Sequence, residues 1–145
     1  MAKFVFRLQS YLGVKEKIEE QKKLEYGQAL RRLEEECQKK IQLVAMQDEL
    51  INLFKNSLHT EVNVVDIKRY NNTIEWLKYK IVEQEKRIAA AEVIAETKRL
   101  ELIEAMKERK MLENVKEKKY EEFVQNENLN DKKRIDEIIS YQYNR

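Results

Sequence analysis

The chain has 145 residues, 39% of them charged, with 29 basic and 27 acidic side chains and a net charge of +2. That balance excludes a dedicated nucleic-acid binder, which carries a one-signed basic face. With no proline and two glycines, the chain has too few turn residues for a fold of many short elements.

Hydrophobic residues make up 42% of the chain, but they are spread as stripes and not clustered as for a broad core. High charge, helix-forming residues and a 3.5-residue period are the composition of a coiled coil. A solenoid would need periodic turn signals, and there are none. The single cysteine, Cys37, cannot make an intrachain disulfide, which is compatible with a reducing cytoplasm. No apolar run approaches the roughly 20 residues that span a bilayer. The opening, Met1 to Val14, carries Lys3 and Arg7 in an interrupted apolar pattern and does not read as a secretory signal. Membrane association is therefore expected to be peripheral or through a partner.

The first helix is expected to begin with Phe4, Leu8, Tyr11 or Leu12, and Ile18. Gly13 and Gly27 each cost about 1 kcal/mol relative to alanine inside a helix, but the pattern resumes after both. Tyr26, Leu30, Leu33, Cys37, Val44, Ile51, Phe54 and Leu58 continue the three-and-four spacing of one helix face. Leu43, Met46, Leu50 and Leu53 lie beside it, so the apolar face widens toward residue 58. The pairs Glu19–Lys23, Glu35–Lys39, Glu36–Lys40 and, later, Glu83–Arg87 are read as outward-facing. Their acid-before-base order at four residues contributes roughly 0.2–0.5 kcal/mol each to an isolated helix.

Asn56 to Val65 reads as a bend. Asn56, Ser57, Thr60 and Asn63 compete for backbone hydrogen bonds and prefer caps and turns. Val62, Val64 and Val65 add β-branched stiffness. Asp66 is the expected cap of the second helix.

The stretch from Ile67 to Phe123 is the most regular in the chain. Ile67, Ile74, Ile81, Ile88, Ala95 and Leu102 recur every seven residues. A second column stands three residues on: Tyr70, Leu77, Gln84, Ala91, Lys98, Ala105 and Leu112. Such repetition keeps one face turned toward a partner helix. At about 1.5 Å per residue the stretch is roughly 80 Å long. Beyond Phe123 the pattern fails. Asn126, Asn128 and Asn130 suggest a frayed turn, and Asp131 is a candidate start for a short last helix carrying Ile135, Ile138 and Ile139. The final residues, with Tyr141 and Tyr143, are otherwise read as disordered.

The expected fold is therefore all-α, an antiparallel two-helix coiled-coil hairpin forming a rod. It is one domain over residues 1–145, with helix 1 at about 4–58, a bend at about 59–65, helix 2 at about 66–125 and a tail at 126–145. The alternative is one continuous rod that dimerises. In either case the seam is assigned to Leu30, Leu33, Cys37, Val44, Ile51, Ile67, Ile81, Ile88, Leu102 and Leu112.

Little in the chain suggests catalysis. Two isolated glycines cannot build a phosphate-binding loop. One cysteine and one histidine cannot make a zinc site. His59, at the bend, reads as a solvated or capping imidazole, and Cys37 as a packed thiol. Glu34–Glu36 and Glu121–Glu122 read as solvated faces. A two-helix rod offers no concave, water-poor pocket to shift pKa values. No catalytic residue, metal or cofactor is assigned. Arg31–Arg32 and Lys116–Lys118–Lys119 are interleaved with Glu34, Glu35, Glu113 and Glu117, which disfavours nucleic acid or anionic lipid. Phe54, Leu58, Tyr70 and Trp76 place bulk near the bend, where it either closes the hairpin core or anchors a partner. Trp76, beside Leu77 and off the main seam, fits both readings.

Four segments together resemble the FliJ family of the bacterial flagellar export apparatus. The opening Phe4-x-Phe6-x-Leu8-Gln9-x-x-Leu12 resembles the family's start. Tyr70-Asn71-Asn72-Thr73-Ile74-Glu75-Trp76-Leu77, followed by Ile81 and Gln84, is similar to the start of its second helix. The run from Glu108 to Lys118 resembles its charged distal stretch, and Lys132-Lys133-x-Ile135-Asp136-Glu137 its C-terminal motif. The resemblance implies a cytoplasmic two-helix rod, similar in form to the stalk of rotary ATPases. It implies three partners: the hexameric export ATPase, the cytoplasmic domain of the export gate, and the export chaperones. Tyr70, Ile74, Trp76 and Leu77 are the candidate partner-binding residues. The implied place is the cytoplasmic face of the cell membrane at the flagellar base, reached through partners. Two other readings stay open: a spacer that homodimerises, and a holdase chaperone.

Overall fold

The structure, a computed structural model, describes residues 2–60 and 63–144. It is all-α. Helix α1 covers Gln9–Ser57 and helix α2 covers Val64–Tyr143, and the two pack against each other as a helical hairpin. No strand occurs among the described residues.

Buried and half-buried positions step along α1 by threes and fours: Leu12, Lys15, Glu19, Lys22, Tyr26, Ala29, Leu33, Glu36, Lys40, Leu43, Gln47, Leu50, Phe54 and Ser57. The matching set on α2 runs from Ile67 and Tyr70 through Leu77, Gln84, Ala91, Lys98, Ala105 and Arg109 to Leu112 and Lys116. A seven-residue repeat thus holds one face of each helix toward the other. The α1 face is far more polar than its apolar residues suggest. Glu19 and Glu36, expected to face outward, are buried in the seam. Leu30, expected in the seam, stands outside it at 43% exposed, and the small side chain of Ala29 takes that place. Cys37, Val44 and Ile51 are half-buried beside the α1 positions, with Leu33 among them. On α2, Ile67, Ile81, Ile88, Leu102 and Leu112 are half-buried.

The chain resolves into two compact units. One joins residues 1–22 with 102–145, and the other is residues 23–101. In the first unit, residues 2–6 carry no regular secondary structure and α1 starts only at Gln9, whose N–H donates to Phe6 O at 3.1 Å. The helix expected from residue 4 is absent there. Phe4 and Phe6 turn inward, and Val5 between them is 80% exposed. The Phe4 ring meets Tyr120 edge-on at 5.3 Å and Phe123 at 5.5 Å. Further along, Lys15 Nζ bonds Glu108 at 2.7 Å, and Arg109 bonds Glu19 across the seam and Glu113 on its own helix. As the chain advances from Phe4 to Lys15, its partners on α2 retreat, which is antiparallel pairing.

The second unit repeats this logic. Glu25 pairs with Lys98 at 3.3 Å, Glu36 with Gln84, Lys40 with Glu85 at 3.2 Å, and the Phe54 ring with Tyr70 at 5.6 Å. Gln84 Nε2 donates both to the Glu36 carboxylate and to Glu36 O, the latter at 2.8 Å. Every polar side chain buried among the described residues finds a partner. That completeness is what makes a polar seam tolerable. Glu83, expected to pair with Arg87 four residues on, instead meets Lys80 at 3.7 Å.

The ends of the helices are set by side-chain hydrogen bonds. Asn63, not Asp66, caps α2: its Oδ1 accepts the Val65 N–H at 3.2 Å, and its carbonyl accepts those of Asp66 and Ile67. Asp66 sits in the first turn, where its charge opposes the helix dipole. At the end of α1, Ser57 Oγ donates to Phe54 O at 2.7 Å and Thr60 Oγ1 to Ser57 O at 3.1 Å. Val62, assigned to the bend, lies outside the described residues. The turn expected at Asn126–Asn130 does not form; α2 continues to Tyr143. Asparagine costs less than about 1 kcal/mol relative to alanine in a helix, and no glycine or proline is there to stop it.

Candidate protein-binding surface

The four residues singled out near the bend have different fates. Leu77 is 2% exposed and belongs to the seam. Ile74 is half-buried, and half-buried Tyr70 packs its ring on Phe54. Only Trp76 presents itself, 53% exposed, with Lys80 Nζ over its ring at 5.6 Å. Burial is decided by helix phase. Ile74 and Leu77 fall on the repeat, and Trp76 falls one step off it.

Trp76 does not stand alone. It borders a shallow groove of about 240 Å³ with Met46, Glu49, Leu50 and Leu53 from α1 and Thr73 and Leu77 from α2. Met46 and Leu53 are exposed. Neither was assigned to a partner surface from sequence. Their signal was the broadening of the apolar face toward residue 58, which placed Met46, Leu50 and Leu53 beside the repeat. A large aromatic side chain next to flexible aliphatic ones is suited to anchoring another protein.

Hydrogen bonds and ion pairs shift several pKa values. Lys15 has its pKa raised by its hydrogen bond to Glu108. Glu36 has its pKa lowered, first by the hydrogen bond from Gln84 and then by Lys39 and Arg32. Glu96 and Arg99 reinforce each other's charge, and Glu113 and then Glu19 raise that of Arg109. Each shift fixes a group more firmly in its charged form. A general acid or base needs the opposite, a pKa near the working pH. His59 is exposed in the turn after α1, and Cys37 is a half-buried free thiol. Among the described residues no group of three or more His, Cys, Asp or Glu is placed to hold a metal ion. No helix among them is long and apolar enough to cross a membrane.

The family model described as "Flagellar FliJ protein" matches residues 4–145. No curated protein and no solved structure matches the chain significantly. The family match takes in the non-helical start from residue 4 and both helices. The chain belongs to the FliJ family, a family of non-catalytic, coiled-coil proteins associated with flagellar protein export.

Proposed function

We propose that the chain is an adaptor without catalysis in the flagellar type III export apparatus. It links the hexameric export ATPase, the cytoplasmic domain of the export gate and the export chaperones, at the cytoplasmic face of the membrane at the flagellar base. The observation that carries this reading is the family match over residues 4–145. The charged outer surface suits it, because exposed charges set approach rate and register more than affinity. Trp76, with Met46 and Leu53 beside it, is the surface assigned to the gate, and Tyr70, Ile74 and Leu77 hold that surface in place from beneath.

The test uses the purified chain with the export ATPase and gate domain of its own organism. The chain should stimulate ATP hydrolysis, and Trp76→Ala should weaken gate binding without changing helicity. Deleting the gene should impair motility. Normal swimming in the deletion strain, with no effect of the chain on the ATPase, would overturn the reading.

A further inference from the structure

Within the unit of residues 23–101, helix α2 carries a second repeat that is turned away from α1. Val82, Lys86, Ala89, Val93, Glu96 and Leu100 alternate steps of four and three, and all six are exposed. At about 100° per residue they fall within about 80° of arc, on the side opposite Leu77, Gln84 and Ala91. Val82 is 51%, Val93 67% and Leu100 53% exposed. The outward side of α1 in the same unit is different. It carries Gln28, Arg31, Glu35, Gln38 and Gln42, an ordinary solvated face. The two charged members of the α2 repeat differ in company. Glu96 is held by Arg99 on its own helix at 2.6 Å, whereas Lys86 makes no ion pair among the described residues.

We propose that this face pairs with the same face of a second copy, antiparallel, about a two-fold axis level with Ala91. The repeat is complementary to its own reverse. Val82 comes level with Leu100 of the other copy, Lys86 with Glu96, and Ala89 with Val93, and the axis repeats each layer. Apolar meets apolar, and the only two charges in the repeat meet each other. The small alanines beside the axis let the two helices come close. On one flank, Glu85 stands beside Arg99 of the other copy on both sides of the axis. Glu92 meets Glu92 at the axis, the like-charged contact of that flank. An anionic membrane is a poorer occupant, because Glu85, Glu92 and Glu96 lie on or beside this face and repel it.

Lys86 and Glu96 fix both direction and register. A parallel pair would bring Lys86 to Lys86 and Glu96 to Glu96. Sliding the antiparallel pair by seven residues sets Lys86 against Ala89 and Glu96 against Tyr79. Sliding it the other way sets Glu96 against Val93. A polar layer within an apolar seam specifies register in just this manner. The layers span roughly 27 Å, at about 1.5 Å per residue. So short a seam should give a dimer that dissociates on dilution. The same patch serves both copies, so the contact closes on itself and stops at two. This inference stands independently of the export reading.

Sedimentation velocity of the full chain, from micromolar to near-millimolar, tests it. The mean mass should rise with concentration to that of a dimer and no further. Lys86→Glu and Glu96→Lys, both at exposed positions, should each weaken dimerisation about tenfold or more, with unchanged helicity by circular dichroism. The double variant K86E/E96K should restore it, because each altered charge again meets its opposite across the axis. The two positions are too far apart on one helix to compensate within a chain. An equal mixture of the two single variants should likewise form mixed dimers. A wild-type chain that stays monomeric throughout would overturn the proposal, whether or not Val93→Asp then weakens its binding to the export ATPase or the gate domain. So would single variants that dimerise like the wild type, or a double variant that stays monomeric.

Discussion

At the scale of single residues, position in the repeat matters more than hydrophobicity. Leu77 and Leu30 are the same residue with opposite surroundings, one buried and one exposed. Truncating Leu77 to alanine should cost about 2–5 kcal/mol, from lost transfer energy and the cavity left behind. Truncating Leu30 should change stability by less than about 0.5 kcal/mol. Urea unfolding of the two variants checks this, and equal losses would contradict the assigned seam. Glu36 adds a pH dependence. Gln84, Lys39 and Arg32 hold its pKa below the ordinary 4.5, so the folded state favours the ionised form. That contribution is fully present above the ordinary value and is lost as pH falls through the lowered one. The melting temperature of the wild type should therefore drop more steeply than that of Glu36→Gln between about pH 5 and pH 3. Parallel curves would show that the carboxylate gains nothing from its setting.

At the scale of elements, the helices are held by features of unequal visibility. An alanine Cβ at Gly27 would meet nothing within 4 Å, and the residue lies inside α1. Gly27→Ala should stabilise the chain by about 0.5–1 kcal/mol, through the unfolded state and helix propensity. Asn63→Ala should destabilise it by about 1 kcal/mol by removing the cap of α2. Thermal melts of both variants read the two signs directly. Helix α2 was plain in the sequence because isoleucine recurs at nearly every seventh place from Ile67 to Ile88. The face of α1 was not, because six of its fourteen repeat positions are lysine, glutamate or glutamine. Apolar spacing alone then leads to Leu30 and away from Glu36. The cap and the tail were hidden for a related reason. Asn63 and Asp66 are both good capping residues, and only the start of the helix chooses between them. Three asparagines look like a turn, but they weaken a helix too little to end it. Of the candidate binding surface, Trp76 was legible as an off-repeat aromatic. Its neighbours Met46 and Leu53 come from the other helix, and no spacing within one helix could pair them with it.

At the scale of the whole molecule, the hairpin is all seam and no centre. Among the described residues not one large side chain is fully shielded from solvent. The positive heat-capacity change of unfolding comes from apolar surface newly met by water. Here little is hidden beforehand, so little is uncovered. Calorimetry should give an increment below the usual ~12–15 cal/mol/K per residue. A value inside that range would mean that a partner, or another copy, covers the chain under the conditions measured. A small increment flattens the curve of stability against temperature. The hairpin should then lose only a little of its strength on chilling, and a cell in cold water would keep this component folded as well as a cell in warm water does.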